Sequence, residues 1–331
     1  MRSTILDASV IICTYADERL NELVAAVRSV QQQQVPPREI IVVVDHNPAL
    51  LARVGELLAD VKVVENRQRR GLSGARNSGI AQAQSAFIAF LDDDAVAAPD
   101  WLPTLYQHCQ DEQVLGVGGG VVPWWETTRP AWFPEEFYWV VGCTYLGLPE
   151  KLAPVRNPFG GAMCVRKEIF ETVGGFREEI GRLGKRPVGC EETELCIRAA
   201  QQWPKRGFWF EPRAKIYHRV TASRASWKYF CSRCYAEGFS KAYVSKLVGR
   251  SDGLSAERTY TMQTLPRGVL RGLRDAAGGH LYGLGRAMAI LAGLALTTVG
   301  YAVGSIEQNR AASNGLRPIR VRSESRMGPP P

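Results

Sequence analysis

The feature that most constrains this chain is a regular alternation of short apolar runs and helical segments between residues 8 and 122. The apolar runs are rich in β-branched residues, and the segments between them repeat apolar residues at helical spacing, as Leu20, Leu23, Val24 and Val27 do. This alternation predicts a parallel, right-handed, doubly wound α/β sheet. The predicted elements are strand Ser9–Cys13, helix Glu18–Gln33, strand Glu39–Asp45, helix Pro48–Asp60, strand Val61–Glu65, helix Leu72–Gln84, strand Phe87–Asp92, helix Asp100–Cys109 and strand Leu115–Val122.

Polar residues stand where four of these strands end. They are Thr14-Tyr15, Asp45, Asn66-Arg67 and Asp92–Asp94. Because the carboxyl ends of parallel strands meet at one edge of the sheet and collect ligands there, we expect these residues to form one rim.

Three consecutive acids follow the apolar strand Ala86–Leu91. Such a cluster is costly by Coulomb repulsion unless a cation lies among the carboxylates. Residues two apart point the same way in extended chain, so we expect Asp92 and Asp94 to face one site and Asp93 to face away. Two carboxylates suit a hard divalent ion that can also hold phosphate oxygens, which favours a metal site over a solvated acidic turn.

The second half of the chain contains fewer regular signals. Pro123–Tyr145 is rich in aromatic residues, including Trp124 and Trp125, and suits either plain packing over the sheet or an acceptor-binding lid. The pattern further predicts a strand at Gly160–Val165, a helix ending within Phe170–Phe176, helix Glu191–Gln202, strands near Gly207–Glu211 and Ala214–Tyr217, and helix Trp227–Val248.

Charge and apolar content change in the last third. The whole chain carries a formal charge of +8, yet residues 219–331 hold 17 Lys/Arg against 6 Asp/Glu. A basic region without a nucleic-acid-binding motif favours an anionic membrane surface or phosphorylated partner over nucleic acid. After the break at Gly249–Ser255, Leu265–Ile306 is helical in pattern, and its uncharged part Ala287–Ile306 is long enough to span a membrane.

For that C-terminal region we expect membrane association, with a spanning helix, an interfacial helix and a buried helical hairpin left open. The glycines of Gly300-x-x-x-Gly304 suit close helix contact. The predicted division is an α/β half at 1–122, a second half at 123–226, a helical region at 227–308 and a disordered tail at 309–331.

Cysteine usage and the N-terminal pattern favour the cytosol. The eight cysteines show no framework spacing, and Cys231-x-x-Cys234 has no second pair or histidine nearby, so reduced thiols are expected. The chain enters an apolar strand by Ala8 with no signal-peptide pattern before it. We therefore expect a cytoplasmic protein at the inner face of the cell membrane.

Two common ways of binding phosphate are excluded. The first strand is followed by Cys13-Thr14-Tyr15-Ala16-Asp17 without a glycine, so the dinucleotide fingerprint is missing from its required place. No GxxxxGK[ST] sequence occurs, which excludes a P-loop protein. The acidic strand end remains the candidate for holding phosphates through a metal.

Seven short motifs follow one another along the first 220 residues. They are Ile11–Tyr15, Ile40–Asp45, Gly71-x-x-x-Ala75-Arg76-Asn77-x-Gly79, Phe90–Asp94, Gly160-Gly161-Ala162, Gly174-Gly175-Phe176 and Glu191-Glu192-x-x-Leu195-x-x-Arg198. In this order and spacing they resemble family 2 glycosyltransferases of GT-A fold. The runs Gly189–Cys196 and Arg233–Gly238 are similar to a bacterial and archaeal subset labelled glucosyl-dolichyl-phosphate glucuronosyltransferase.

The resemblance implies a donor site for a UDP-linked sugar and a divalent metal, Mn²⁺ or Mg²⁺. Asp45 would accept the uracil imide proton, although the turn Asp45-His46-Asn47 departs from the family's usual Asp-Asp-Gly-Ser. Thr14 and Tyr15 would line the base pocket, and Arg76 would contact the base or the diphosphate. Asp92 would bind the ribose, and Asp93 would be a further carboxylate of the donor site. Asp94 would ligate the metal with Asp92, and His218 would complete the metal site.

The resemblance also implies that 1–122 is the nucleotide-sugar-binding half and that 123–226 is the acceptor-binding and catalytic-base half. Glu192 occupies the place of the second acid in the family's Glu-Asp pair and would deprotonate the acceptor hydroxyl, with Glu191 as the second choice. We assign acceptor binding to Trp124, Trp125, Gly160, Gly161 and Ala162. Arg219, Arg224 and Arg233 could neutralise donor or lipid phosphates.

Together these residues predict an inverting, metal-dependent glycosyltransferase acting on a hydroxyl of a polyprenyl-linked or cell-envelope glycan. A polyprenyl-phosphate sugar synthase is an alternative enzyme, because its lipid phosphate is already ionised and needs no base. A non-catalytic nucleotide-sugar or glycan-binding subunit is the alternative of a different class, against which the acids at 45, 92, 94 and 192 argue.

Overall fold

The computed structural model describes residues 5–181 and 189–313, and the ranges that follow refer to these. The strands are β1 (Leu6–Thr14), β2 (Pro37–Val44), β3 (Lys62–Glu65), β4 (Phe87–Asp92), β5 (Ala95–Ala97), β6 (Val114–Trp125), β7 (Ala153–Val155), β8 (Ala162–Arg166) and β9 (Gly207–Val220). The α-helices are α1 (Leu20–Gln31), α2 (Pro48–Leu57), α3 (Leu72–Gln82), α4 (Trp101–Cys109), α5 (Glu168–Val173), α6 (Glu191–Gln202), α7 (Trp227–Val248), α8 (Arg250–Gly253), α9 (Ser255–Thr259), α10 (Leu265–Ala277) and α11 (Tyr282–Ser313). Asp17–Arg19 and Glu135–Val141 form 3₁₀ turns, and Tyr260–Thr264 is π-helical.

The strands form one sheet in the order β3-β2-β1-β4-β8-β6-β9-β5, and β7 pairs with β9. The first four neighbours, β3, β2, β1 and β4, are parallel as the alternation predicts. Strand β8 then runs antiparallel to both β4 and β6, so the sheet as a whole is mixed. The parallel half therefore brings the ends of β1, β2 and β4 to one edge.

Both faces of the parallel half are buried, which explains why its strands read as unbroken apolar runs. Val10 and Ile12 point into one apolar core, and Ile11 between them points into another. In β4, Ala89 and Leu91 join the first core while Phe90 joins the second. Alternate residues of each strand thus face opposite helical layers, as a two-residue repeat requires.

Strand β9 corrects one expected element. The sequence predicts two strands near Gly207–Glu211 and Ala214–Tyr217, but β9 is continuous from Gly207 to Val220. It pairs with β6 on both sides of an irregularity, with Gly119 opposite Glu211 and Gly120 opposite Lys215. His218 consequently lies inside the strand rather than after it.

The C-terminal region is helical over more of its length than expected. The break at Gly249–Ser255 contains α8 and the start of α9, and α11 runs to Ser313, so residues 309–313 are helical and not a disordered tail. The buried Gln308 explains this, because its carbonyl accepts a hydrogen bond from Lys246 Nζ of α7 at 2.8 Å. The remainder of the predicted tail, 314–331, lies outside the described residues, and the four-part division remains a prediction.

Helix α11 packs on α7 through glycines. A Cβ atom on Gly300 would lie 2.1 Å from the Tyr235 carbonyl oxygen, and one on Gly238 would lie 1.9 Å from the Thr297 carbonyl oxygen. The two backbones therefore touch where neither residue has a side chain, which the glycines of the GxxxG motif allow. By length and composition alone the segment Tyr282–Arg310 could cross a membrane, and about a third of its most apolar window is buried here.

Replacing Gly300 with alanine should destabilise the protein, because the new methyl group would force α7 and α11 apart. We expect a loss of about 1–3 kcal/mol in the free energy of unfolding, the range for overpacked sites. Gly55 on α2 is the matched control, since a Cβ there meets nothing within 4 Å. Gly55→Ala should be neutral or stabilising by up to about 1 kcal/mol. Equal urea midpoints for the two variants would contradict this packing.

Candidate active site

A cavity of about 1540 Å³ opens at the carboxyl edge of the parallel strands. The end of β1, the turn after β2 and the end of β4 form one side of it, and the first turn of α6 lies on another. Predicted site residues that line it are Thr14, Tyr15, Asp45, Arg76, Asp92, Asp93, Asp94, Gly160, Gly161, Glu191 and Glu192. The expected rim therefore forms, and it is continuous with the acids of α6.

Asp92, Asp94 and His218 form a cluster at the end of β4. Each offers a ligand atom, and these atoms lie within 4.8 Å of one another. His218 reaches the cluster because Ala95, the residue after Asp94, pairs with it across β5 and β9. The His218 Nε2 atom lies 3.1 Å from Asp94 Oδ1. Two carboxylates and an imidazole are a donor set that a divalent metal ion accepts.

Two guanidinium groups also surround Asp94. Arg19 and Arg224 each approach Asp94 Oδ2 to 3.3 Å. Burial alone would raise the pKa of Asp94, but the His218 imidazolium and the two guanidiniums hold it well below its usual range. Burial alone would lower the pKa of His218, whereas the Asp94 carboxylate raises it to about 10. The cluster is therefore an ionised carboxylate surrounded by positive charge, which compensates its burial.

Asp93 and Asp94 lie in the turn between β4 and β5 rather than in extended chain, and Asp93 has contacts of its own. One of its carboxylate oxygens accepts a hydrogen bond from Thr14 Oγ1 at 2.7 Å, and the other accepts one from Arg19 at 2.7 Å. Burial raises the pKa of Asp93 and the neighbouring Arg19 opposes that rise. Asp93 thus joins the ends of β1 and β4 and fixes Arg19 beside the cluster.

Two glycines make room for these side chains. A Cβ atom on Gly161 would lie 2.2 Å from Asp92 Oδ2, and a Cβ atom on Gly160 would lie 2.9 Å from an Arg76 terminal nitrogen. The backbone before β8 therefore passes directly over Asp92 and Arg76. The sequence assigns these glycines to acceptor binding, and the structure shows in addition that they are needed to seat the acids and the arginine.

Arg76 is buried and bridges two parts of the site. Its guanidinium donates to Glu191 Oε1 at 3.0 Å and lies 3.7 Å from Asp92 Oδ1. The same group stacks over Phe90 and Phe176, with 5.5 and 5.2 Å to the ring centroids. Arg76 is thereby held rigidly between the acidic end of β4 and the first turn of α6.

The three glutamates of the first turn of α6 have different surroundings. Glu191 pairs with Arg76, and the fully buried Glu194 accepts hydrogen bonds from Arg198 and Arg177. Glu192 lines the cavity and forms no ion pair with a basic side chain among the described residues. Burial, with Glu191 next to it, raises the pKa of Glu192 to about 8. Glu192 is thus the glutamate of this turn poised to exchange a proton near neutral pH.

The protein was compared with known sequences and solved structures. The family model described as Glycosyl transferase family 2 matches residues 9–174. A glucosyl-dolichyl phosphate glucuronosyltransferase of Haloferax volcanii is 34% identical over 246 residues, which cover 73% of this chain and 78% of that protein. The chain belongs to glycosyl transferase family 2.

Two further comparisons extend these similarities, and the second of them shows the fold. A dolichol-phosphate mannosyltransferase of Pyrococcus furiosus is 28% identical, over 51% of this chain and 48% of that protein. The solved mannosyltransferase PcManGT from Pyrobaculum calidifontis, in complex with GDP-Man and Mn²⁺, superposes with a TM-score of 0.56 at 17% identity, covering 92% of this chain and 88% of that one. This chain is a glycosyltransferase of GT-A fold, with a mixed sheet and a helical C-terminal extension.

On the β2 side of the glycosyltransferase's cavity, Asp45 is held by its neighbours. Its oxygens accept hydrogen bonds from Asn66 Nδ2 at 2.6 Å and from the Gly71 backbone N–H at 2.9 Å, and His46 Nδ1 lies 2.8 Å away. Asn47 then caps α2 by accepting from the Leu50 N–H. The unusual Asp45-His46-Asn47 turn therefore keeps the carboxylate in place at the cavity wall.

Three predicted acceptor residues are not brought to the cavity. Trp124 is an exposed residue near the end of β6, and Trp125 packs edge-on against Phe133 and Tyr138. Ala162 is fully buried in β8. Among the described residues none of these three lines the cavity. Adjacent residues of a strand point to opposite faces, so Trp125 turns into the packing and Trp124 turns outward.

The aromatic wall that does face the cavity comes from other positions. Trp139, Tyr145 and Tyr260 line it, and the Tyr260 hydroxyl accepts from Trp139 Nε1 at 3.0 Å while donating to the Glu136 carbonyl. Trp139 and Tyr145 belong to Pro123–Tyr145, for which the sequence allows a lid, whereas Tyr260 and Arg19 are not predicted as site residues. The aromatic run 124–139 signals such a wall, but only the fold shows which rings turn inward, and Arg19 carries no signal beyond its place after β1.

Glu191 should prove structural in this glycosyltransferase. Glu191→Gln would leave the buried Arg76 guanidinium without its close carboxylate, so we expect a loss of about 3–5 kcal/mol in the free energy of unfolding. Glu171→Gln is the control, because Glu171 is exposed and lies 3.9 Å from Lys167. It should cost less than about 1 kcal/mol. Urea unfolding of both variants checks this, and similar small losses would remove the structural role of Glu191.

Proposed function

We propose that the protein is an inverting, metal-dependent glycosyltransferase that moves a sugar from a UDP-linked donor to a hydroxyl of a polyprenyl-linked or other cell-envelope glycan. We further propose that it works at the cytoplasmic face of the membrane. The observation that carries the proposal is that one cavity is lined both by the Asp92 and Asp94 carboxylates and by Glu192, which has no basic partner in the part of the chain that the structure describes. In-line sugar transfer requires groups that stabilise the charge on the departing diphosphate and a group that accepts the proton of the attacking hydroxyl. This cavity offers both.

The metal site would consist of Asp92, Asp94 and His218. Their donor atoms already converge within 4.8 Å, and the half-exposed Asp92 faces the cavity, so the residues present fit Mn²⁺ or Mg²⁺. His218 would have to give up its proton to act as a ligand. When bound, the ion would supply Lewis-acid stabilisation of the departing diphosphate.

The donor would lie along the ends of β1, β2 and β4. Asp45 would accept the imide proton of uracil, and Thr14 and Tyr15 would line the base pocket. Arg76 is fixed by Glu191 and two phenyl rings and so would present its charge to the donor with little reorganisation. Arg224 beside Asp94 would add positive charge at the diphosphate end.

Glu192 would accept the proton of the acceptor hydroxyl while its oxygen attacks the anomeric carbon. The bond from that carbon to the nucleoside diphosphate breaks on the opposite face, which inverts the configuration. The acceptor class is supported by the similarity to a glucosyl-dolichyl phosphate glucuronosyltransferase and by the exposed apolar C-terminal helices.

A polyprenyl-phosphate sugar synthase is the second candidate, favoured by the similarity to a dolichol-phosphate mannosyltransferase. In that reaction the lipid phosphate is the nucleophile and no general base is needed. The raised pKa of Glu192 favours a role in proton transfer and therefore the hydroxyl acceptor.

Loss of the Asp94 charge should remove metal-dependent activity. With Mn²⁺ and a panel of UDP-sugars, the purified protein should release UDP slowly, and EDTA should abolish this. We expect Asp94→Asn to lower the rate by about 10²–10³-fold, the size of a lost electrostatic contact in a transition state. Asp100→Asn, at the exposed start of α4, is the control and should keep the rate. UDP release that is unaffected by EDTA and by Asp94→Asn would overturn the metal-dependent mechanism.

Glu192→Gln should keep UDP binding and lose turnover by about 10²–10⁴-fold, the usual contribution of a general base. In the wild type, kcat/KM should rise with pH until about 8, because the carboxyl is neutral below its raised pKa and can accept a proton only above it. Transfer assays with glycan and polyprenyl-phosphate acceptors from pH 6 to pH 9 measure both effects, and the exposed Glu112→Gln is the control. Full activity of Glu192→Gln with a polyprenyl phosphate would favour the second candidate.

A further inference from the structure

Helix α11 exposes an apolar stripe along most of its length. Leu284, Met288, Leu291, Val299 and Ile306 are each between 51% and 60% exposed. Their spacing of three or four residues, or multiples of it, places them on one face of the helix. From Leu284 to Ile306 the stripe is about 33 Å long at 1.5 Å per residue. Exposed apolar surface of this extent indicates an interaction site.

The opposite face of α11 already packs against Phe137 and α7. A Cβ on Gly293 would meet the Phe137 ring at 2.3 Å, and Gly300 lies against the Tyr235 carbonyl of α7. Helix α7 in turn carries charged groups such as Lys241 and Glu237, which lie 3.4 Å apart and are only about 15% exposed. Lipid therefore cannot surround α11 while these contacts persist, and its exposed stripe alone is available.

Helix α10 adds a second apolar surface. Leu270 and Leu273 are exposed, whereas Gly268 and Gly272 on the other side of the helix are buried against α11 and the domain. Leu281 and Tyr282, in and just after the connection to α11, are also exposed. The hairpin formed by α10 and α11 thus presents leucines on both helices and at its tip.

Positive charge flanks these leucines. Arg267 and Arg274 are exposed on α10, and within the described part of the chain neither forms an ion pair with an acid. Two neighbouring arginines differ in this respect, because Arg271 pairs with Glu136 and Arg286 pairs with Asp275. The apolar face matches the acyl chains of a bilayer, and the arginines that border it without acidic partners match anionic headgroups.

An exposed tryptophan lies next to the hairpin. Trp227 at the start of α7 packs against Trp132, with ring centroids 5.0 Å apart, and Trp132 in turn lies against Gly285 of α11. Trp227 remains about half exposed. Tryptophan side chains favour the boundary between headgroups and acyl chains, which suits this position at the edge of the stripe.

We infer that the α10–α11 hairpin binds in the plane of an anionic bilayer surface, with the Leu284–Met288–Leu291 stripe and Leu270 inserted and with Arg267 and Arg274 on the headgroups. The hairpin neither spans the membrane nor serves as a buried core element. Leu265, Leu294 and Thr297 of the same helices line the cavity, so this orientation brings the cavity beside the bilayer. This inference deepens the proposed function. The role of the hairpin in catalysis rests on the proposed lipid-linked acceptor, whereas its binding to a membrane does not.

The test is co-sedimentation of the full-length protein with vesicles of phosphatidylcholine alone or mixed with phosphatidylglycerol. The wild type should bind the anionic vesicles and release from them as salt increases. The double variant Leu284→Glu/Leu291→Glu should bind more than about tenfold more weakly. Arg267→Glu/Arg274→Glu should lose the preference for phosphatidylglycerol. Leu57→Glu, an equally exposed leucine of α2, is the matched control and should bind as the wild type does.

UDP-sugar hydrolysis without vesicles separates this inference from the proposed function, because none of the substituted residues lines the cavity. Variants that hydrolyse donor normally but fail to bind vesicles support the inference even if the acceptor class is wrong. Wild-type protein that does not sediment with anionic vesicles would overturn it. Resistance of the membrane-bound protein to alkaline carbonate would show a spanning helix instead. A dimer that the leucine variant converts to a monomer, without vesicle binding, would show that the stripe is a contact between two copies.

Discussion

The site depends on how negative charge is compensated at the end of β4. Three carboxylates follow a fully buried strand, where isolated charge is strongly unfavourable. Each acid has its own cationic neighbours: Arg76 for Asp92, Arg19 for Asp93, and His218 with Arg19 and Arg224 for Asp94. These cations come from the segment after β1 and from α3, β9 and the turn before α7. The acids therefore fix the relative positions of elements that are far apart in sequence.

The same charge balance gives the two ends of the cavity different properties. Around Asp94 the cations outnumber the acid, which keeps the carboxylate ionised and favours an anionic diphosphate nearby. Around Glu192 a second glutamate and burial dominate, which raises its pKa into the range useful for proton transfer. Arg76 lies between the ends and pairs with Glu191, so that Glu192 rather than Glu191 remains available.

The C-terminal helices are held by close backbone packing rather than by charge. Glycines allow α11 to approach α7 and Phe137 closely, and this approach leaves one face of α11 for the domain and one for the surroundings. An uncharged sequence segment is thereby divided into a buried side and an exposed side. Whether such a segment spans or lies flat depends on which neighbours occupy its faces, and hydropathy alone does not contain that information.

The sequence by itself determined the alternation of strands and helices, the rim at Thr14, Asp45 and Asp92–Asp94, and the bounds of α6 and α7. These follow from local periodicity, which depends on neighbouring residues only. Tertiary structure alone decided the antiparallel insertion of β8, the place of His218 inside β9, the pairing of Glu191 with Arg76, and the packing of Trp125 on Phe133 and Tyr138. Each of these depends on partners distant along the chain, such as Arg76 for Glu191 and Ala95 for His218, and no local pattern records which distant side chain will supply the neutralising charge or the packing surface.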